Sequence, residues 1–222
     1  MRLCNNKNVS FLLLVNLLLY YHWHAKKYMD LKSKGDMYQM KLSEKTLSSE
    51  LLYEGKIINL YRDTVELENH TNAMREVVHH PGGVSIVALT EDEQVYMVRQ
   101  FRYPYHKVIL EIPAGKLSPG EDPLECGKRE LEEETGMTAK QYENLGDFYP
   151  SVGYVDEVIY CYLATGLTST QQHLDEDEFL DVELIPLKTL YQMVLSGEIQ
   201  DGKTQSAILK VYCKRYGNSR ID

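Results

Sequence analysis

The stretch Gly115–Met137, GKLSPGEDPLECGKRELEEETGM, decides how this chain is read. Its punctuation spells a helix. Pro119-Gly120 makes a turn, Asp122 stands at the N-cap, Pro123 takes the first helical position and Gly136 supplies a left-handed stop. Glu125 falls three residues after the cap and completes a capping-box-like pair. Asp122 and Glu125 therefore read as cap residues rather than as catalytic ones.

From Glu121 to Glu134 there are seven carboxylates against two cations, Lys128 and Arg129. Spacings of three and four put Glu130, Glu133 and Glu134 on one side of the helix, beside the apolar line Leu124, Gly127, Leu131. Like charges at these spacings cost a few tenths of a kcal/mol per pair. Arg129 offsets part of that cost through Glu133, four residues on. A helix serving only solubility would interleave lysine. Clustered carboxylates beside a glycine-rich approach loop suit a hard divalent cation, which takes oxygen ligands and keeps several waters.

The frame is Gly115, five residues, Glu121, seven residues, Arg129-Glu130-Leu131, one residue, Glu133-Glu134, one residue, Gly136-Met137. At every specified position it resembles the box of the Nudix hydrolase family, GX5EX7REUXEEXGU with U aliphatic. The resemblance implies a loop–helix–loop that holds Mg2+, with Mn2+ as the alternative, against a nucleoside diphosphate linked to a second moiety. It implies Glu130 and Glu134 as the main metal ligands, helped by Glu133 and the backbone carbonyl of Ala114. Arg129 would orient the carboxylates, and Glu133 and Arg129 count among the catalytic residues.

Outward from the box the period is strand-like. Leu51–Leu67 is rich in β-branched and aromatic residues, with a turn at Gly55, and Met74–His79 follows a turn at 69–72. Val84–Leu89, VSIVAL, reads as a fully buried strand, followed by a hairpin tip at 91–93 and strands at Val95–Tyr103 and Val108–Ile112. After the box come strands near Tyr142–Phe148, Glu157–Ala164 and Asp181–Leu184, then helices at Leu187–Ser196 and Thr204–Tyr216. The acidic loop Asp175–Glu178 reads as a solvated turn and not as a metal site. This order gives the α+β class. The resemblance makes it an α/β/α sandwich with a mixed sheet and an N-terminal antiparallel strand region.

Residues 41–217 are expected to form the catalytic domain, between an extension at 1–40 and a short tail at 218–222. Within the extension, Val9–Tyr21 is apolar but shorter than the roughly twenty residues a bilayer span needs. It reads as a membrane anchor, a signal core, or an extension outside the working protein, since Met29, Met37 and Met40 could each begin a chain; membrane contact is expected only in the first case. The net charge of −9 comes without a basic stripe, which argues against nucleic acid as partner. The four cysteines form no CxxC pair and fit reduced thiols in the cytoplasm.

The flanks look like the bacterial ADP-ribose pyrophosphatase branch of the family. The segments that carry this are Arg75-Glu76-Val77-Val78 before His80-Pro81-Gly82-Gly83, Arg99-Gln100-Phe101-Arg102-Tyr103-Pro104, Glu111–Lys116, and Tyr149–Glu157. The branch implies hydrolysis of ADP-ribose to AMP and ribose 5-phosphate. Arg102 and Arg75 would grip phosphate or ribose, Glu111 and Glu76 would position substrate, and Glu157 would be general base or extra metal ligand. It also implies a homodimer built partly from residues 51–79. Where the branch carries proline before Gly153, this chain has Val152, which leaves the loop freer and keeps other nucleoside diphosphate sugars or dinucleotides as alternative substrates. An alternative of another class is a non-catalytic nucleotide-sugar sensor, but such modules usually lose box glutamates and this chain keeps them all.

Overall fold

The computed structural model describes residues 42–175 and 178–217. The apolar run at 9–21, the rest of the extension, the middle of the acidic loop and the tail lie outside the described residues. Among the described residues the elements run β1 (Lys45–Glu54), β2 (Asn59–Glu66), β3 (Asn72–His79), β4 (Gly83–Ala88), β5 (Gln94–Arg102), β6 (Lys107–Glu111), β7 (Ala114–Lys116), α1 (Pro123–Thr135), β8 (Met137–Phe148), β9 (Ile159–Ser169), β10 (Leu180–Pro186), α2 (Leu187–Leu195) and α3 (Gly202–Tyr216). No helix among them is long and apolar enough to cross a membrane.

Among the described residues three sheets form, ordered β1-β2-β3, β10-β5-β6 and β7-β4-β9-β8. In the last, β4 runs parallel to β9 and antiparallel to β7, and β8 is antiparallel to β9, so the sheet is mixed as expected. β4 is buried at every position, which explains its unbroken apolar sequence: both of its faces are covered. Val84, Ile86 and Ala88 pack with Cys126 and Leu131 of α1. Val87 packs with Leu187 and Leu190 of α2 and with Ile208 and Val211 of α3. This is the α/β/α sandwich. Each fully buried Leu, Ile or Val contributes about 1.5–3 kcal/mol relative to exposure.

The helix α1 rides close on β4 because residue 127 is glycine: a Cβ there would stand 2.7 Å from Ile86 Cδ1 and 3.0 Å from Val84 Cγ2. The N-terminal strand starts earlier than the sequence pattern indicates, at Lys45. Every residue of β1 is exposed, so no burial alternation marks its beginning. β8 likewise starts directly after the stop at Gly136, ahead of the expected Tyr142.

The chain divides into two units. In its described part the smaller comprises residues 42–45 and Glu66–Thr71. Its turn is closed by the Leu67 N–H donating to Thr71 O at 2.8 Å, and the Ser43 N–H donates to Glu68 at 3.3 Å. The larger comprises Thr46–Val65 and the chain from Asn72 onward, and it contains both buried clusters.

Candidate active site

The expected punctuation of α1 is present. Asp122 Oδ1 accepts the N–H groups of Leu124 at 2.9 Å and Glu125 at 3.1 Å, and Pro123 opens the helix. Only half of the capping box forms as read, because the Glu125 carboxylate takes Lys128 Nζ at 2.7 Å. Gly136 ends the helix at φ 65°, its N–H bonded to Glu132 O at 2.8 Å.

On this rigid element Arg129 gathers three glutamates. Its Nε donates to Glu121 at 3.1 Å, and its Nη1 reaches Glu133 at 2.7 Å and Glu130 at 2.9 Å. The bond from Arg129, helped by the Ser118 N–H, holds the Glu121 carboxyl down at about 2. Glu121 thus anchors the arginine, a role that box spacing alone does not reveal.

Glu130 and Glu134 lie deeper. They are 7% and 1% exposed. Burial pushes Glu130 up to about 7, against the opposing pull of Arg129. Burial pushes Glu134 up to about 8, although its Oε2 accepts the Ala114 N–H at 3.0 Å. The backbone passes so near that a Cβ on Gly115 would lie 1.8 Å from the Glu130 carboxyl carbon. Among the described residues no group of three or more His, Cys, Asp or Glu side chains is already gathered as a metal centre. Two buried carboxylates short of compensating charge, closed over by the Ala114–Gly115 backbone, still fit a hard divalent cation. Such an ion would stabilise them as anions and complete its shell with water.

Beside this helix opens a cleft of about 720 Å³, lined by Ala114, Gly115, Arg102, Glu157, Glu178 and Lys203 among others. Arg102 presents a forked pair to Glu111, Nε at 2.6 Å and Nη2 at 2.8 Å. Glu111 is 2% exposed and also takes Lys203 Nζ. Burial pushes its carboxyl up, and Arg102 and Lys203 together pull it below its ordinary range. Glu111 therefore holds Arg102 in place instead of facing the cleft itself. Lys203, at the start of α3, pairs with Glu111 at the end of β6 and with Asp201 just before its own helix at 3.0 Å, and the long-range half of that arrangement leaves no mark in the local sequence.

Two residues lie apart from the cleft within one chain, and one expectation changes. Arg75 and Glu76 lie on β3, in a different sheet, and are not among the residues lining the cleft; Arg75 Nη1 donates to Met74 O at 3.0 Å. The acidic loop is not simply a solvated turn, since Glu178 lines the cleft and its charge helps raise Glu130 and Glu134. Sequence could not show this because the contact is made across the fold.

The sequence model of the NUDIX domain matches residues 79–205. The chain belongs to the Nudix family. Ahead of that domain, residues 44–78 match the nucleoside diphosphate sugar hydrolase N-terminal domain. This Nudix chain is 45% identical over 169 residues to ADP-ribose pyrophosphatase of Bacillus subtilis (strain 168), covering 75% of this chain and 91% of that protein. It is 44% identical over 167 residues to methanol dehydrogenase activator of Bacillus methanolicus, covering 74% and 90%. A crystal structure of an ADP compounds hydrolase superposes with a TM-score of 0.70 at 21% identity, over 81% of this chain and 97% of the other. The protein is a Nudix pyrophosphohydrolase of the ADP-ribose pyrophosphatase branch, and Nudix hydrolases are generally divalent-metal dependent.

Proposed function

We propose that this enzyme hydrolyses the diphosphate linkage of ADP-ribose to AMP and ribose 5-phosphate with Mg2+. The observation that carries the reading is the buried pair Glu130 and Glu134 against the Ala114–Gly115 backbone. The choice of substrate is supported by the similarity to the Bacillus subtilis enzyme over most of its length. Glu130 and Glu134 would hold the ion, with Glu133 and Ala114 completing the set. Bound there, it supplies positive charge against the diphosphate oxygens and acidity for the attacking water.

Arg129 spreads its charge over Glu121, Glu130 and Glu133 and fixes their directions. Arg102, braced by Glu111, has N–H groups left over to donate to a phosphate oxygen. Glu157 or a box glutamate takes the proton from water, and Glu178 is a further carboxylate in the same cleft. Arg75 and Glu76 would meet substrate in a cleft completed by a second copy of the chain through residues 51–79. The buried free thiols Cys126 and Cys161 fit a cytoplasmic setting.

Other nucleoside diphosphate sugars are the second reading, favoured by Val152, which is 86% exposed at the loop tip where the branch has proline. A panel of nucleoside diphosphate derivatives incubated with Mg2+, with products read by chromatography, separates the two. Glu134→Gln is expected to lower kcat by orders of magnitude while the protein stays folded. Wild-type turnover by that variant would remove the assignment.

A further inference from the structure

The loop between β8 and β9 has little packing at its tip: a Cβ on Gly153 would meet nothing within 4 Å. Yet this loop delivers Glu157 to the cleft. What fastens it is the neighbouring Asp156. Its Oδ1 accepts the His80 backbone N–H at 2.9 Å, and its Oδ2 pairs with the His79 ring Nδ1. Its own N–H donates to Val78 O at 3.2 Å, and the Val78 N–H donates to Tyr154 O at 2.8 Å. Tyr61 of β2 braces the His79 ring edge-on, with centroids 4.8 Å apart. Asp156 is not among the residues lining the cleft, whereas His80 is, with Nδ1 3.4 Å from Glu157 Oε1 and accepting the Gly82 N–H at 3.1 Å. The His79 side chain of β3, itself braced by Tyr61 of β2, and the His80 backbone N–H in the turn before β4 thus converge on one residue adjacent to Glu157.

We propose that Asp156, anchored by His79 and the His80 N–H, is a positioning residue of the hydrolysis: it lashes the loop to the end of β3 and so sets where the Glu157 carboxylate stands. The proposal rests on Glu157 acting in the reaction. Reacting groups must be held to about 0.5 Å, and a shift of about 1 Å can cost on the order of a hundredfold in rate. Without the Asp156 carboxylate the loop keeps its main-chain bonds to Val78 but loses its anchor to His79 and the His80 N–H, and with its tip unpacked that permits such a shift.

The test is steady-state kinetics of Asp156→Ala, Asp156→Asn, Glu157→Gln and the Asp156→Ala/Glu157→Gln double variant, with melting curves for each. Asp156→Ala is expected to lower kcat/KM about 10- to 100-fold, with the same split between kcat and KM as Glu157→Gln. Asp156→Asn keeps an acceptor for the His80 N–H and recovers part of the loss. In the Glu157→Gln background, Asp156→Ala adds nothing. Wild-type rates for Asp156→Ala beside an impaired Glu157→Gln overturn the proposal and leave the role of Glu157 standing. A full further loss in the double variant also overturns it, since Asp156 would then act by another route. Wild-type rates for Glu157→Gln remove both. Should Asp156→Ala not fold, His79→Ala, which removes only the ring anchor, is read by the same criteria.

Discussion

At Gly115 the missing side chain is the point. Glu130 folds its carboxylate into the space a Cβ would occupy, so the two cannot coexist in this arrangement. Gly115→Ala must push the Glu130 side chain away from the Gly115 backbone, while the φ of Gly115 lies outside the left-handed region that alanine would resist. The expected result is loss of about a hundredfold or more in kcat/KM with weakened Mn2+ binding by calorimetry and a cooperative melt. Wild-type activity with Glu130 displaced would separate that carboxylate from the chemistry. At this scale the sequence carried the identity of the residues but not their reach. Box spacing located Gly115 and Glu130, yet the contact between them, like those of Glu178 with the cleft and Lys203 with Glu111, joins parts of the chain far apart and leaves no local pattern.

At the scale of the element, α1 was legible almost whole, because its cap, its first proline and its terminal glycine are local chemistry. What burial does to its charges was not. Glu130 is held up at about 7 and Glu134 at about 8, against about 4.3 for a free glutamate. The folded protein therefore binds more protons than the unfolded chain between those values. Linkage then makes stability fall as pH rises through the folded-state values, the reverse of the usual acid denaturation. Glu121 and Glu111 are shifted the other way and titrate below this window. In EDTA the melting temperature is expected to drop by roughly several degrees from pH 5.5 to 8.5. Glu134→Gln should flatten much of that slope, and saturating Mg2+ should reverse it. A profile in EDTA that is flat or rises with pH would show that these carboxylates are not stressed by burial.

At the scale of the whole molecule β1 stands apart, a ten-residue strand exposed along its entire length. Exposed strands are ordinarily kept short, charged or covered. This one carries Leu47, Leu51, Leu52 and Tyr53, all exposed. The same exposure hid the start of the strand, Lys45 to Glu50, from the sequence reading, because without a covered face there is no alternation to detect. A second copy of the chain lying over β1 would cover these side chains and could bring Arg75 and Glu76 of one protomer to the cleft of its partner. In a two-fold interface each substitution counts twice. Losing about 2 kcal/mol of apolar burial at one leucine therefore weakens the dimer by about 4 kcal/mol, close to a thousandfold in Kd. Leu51→Asp is expected to convert a dimer into a monomer in light scattering at micromolar concentration, with kcat/KM falling in step and the melt of the catalytic unit retained. A wild-type protein that is monomeric and fully active would exclude a shared cleft, and Arg75 and Glu76 would then have to be explained within one chain.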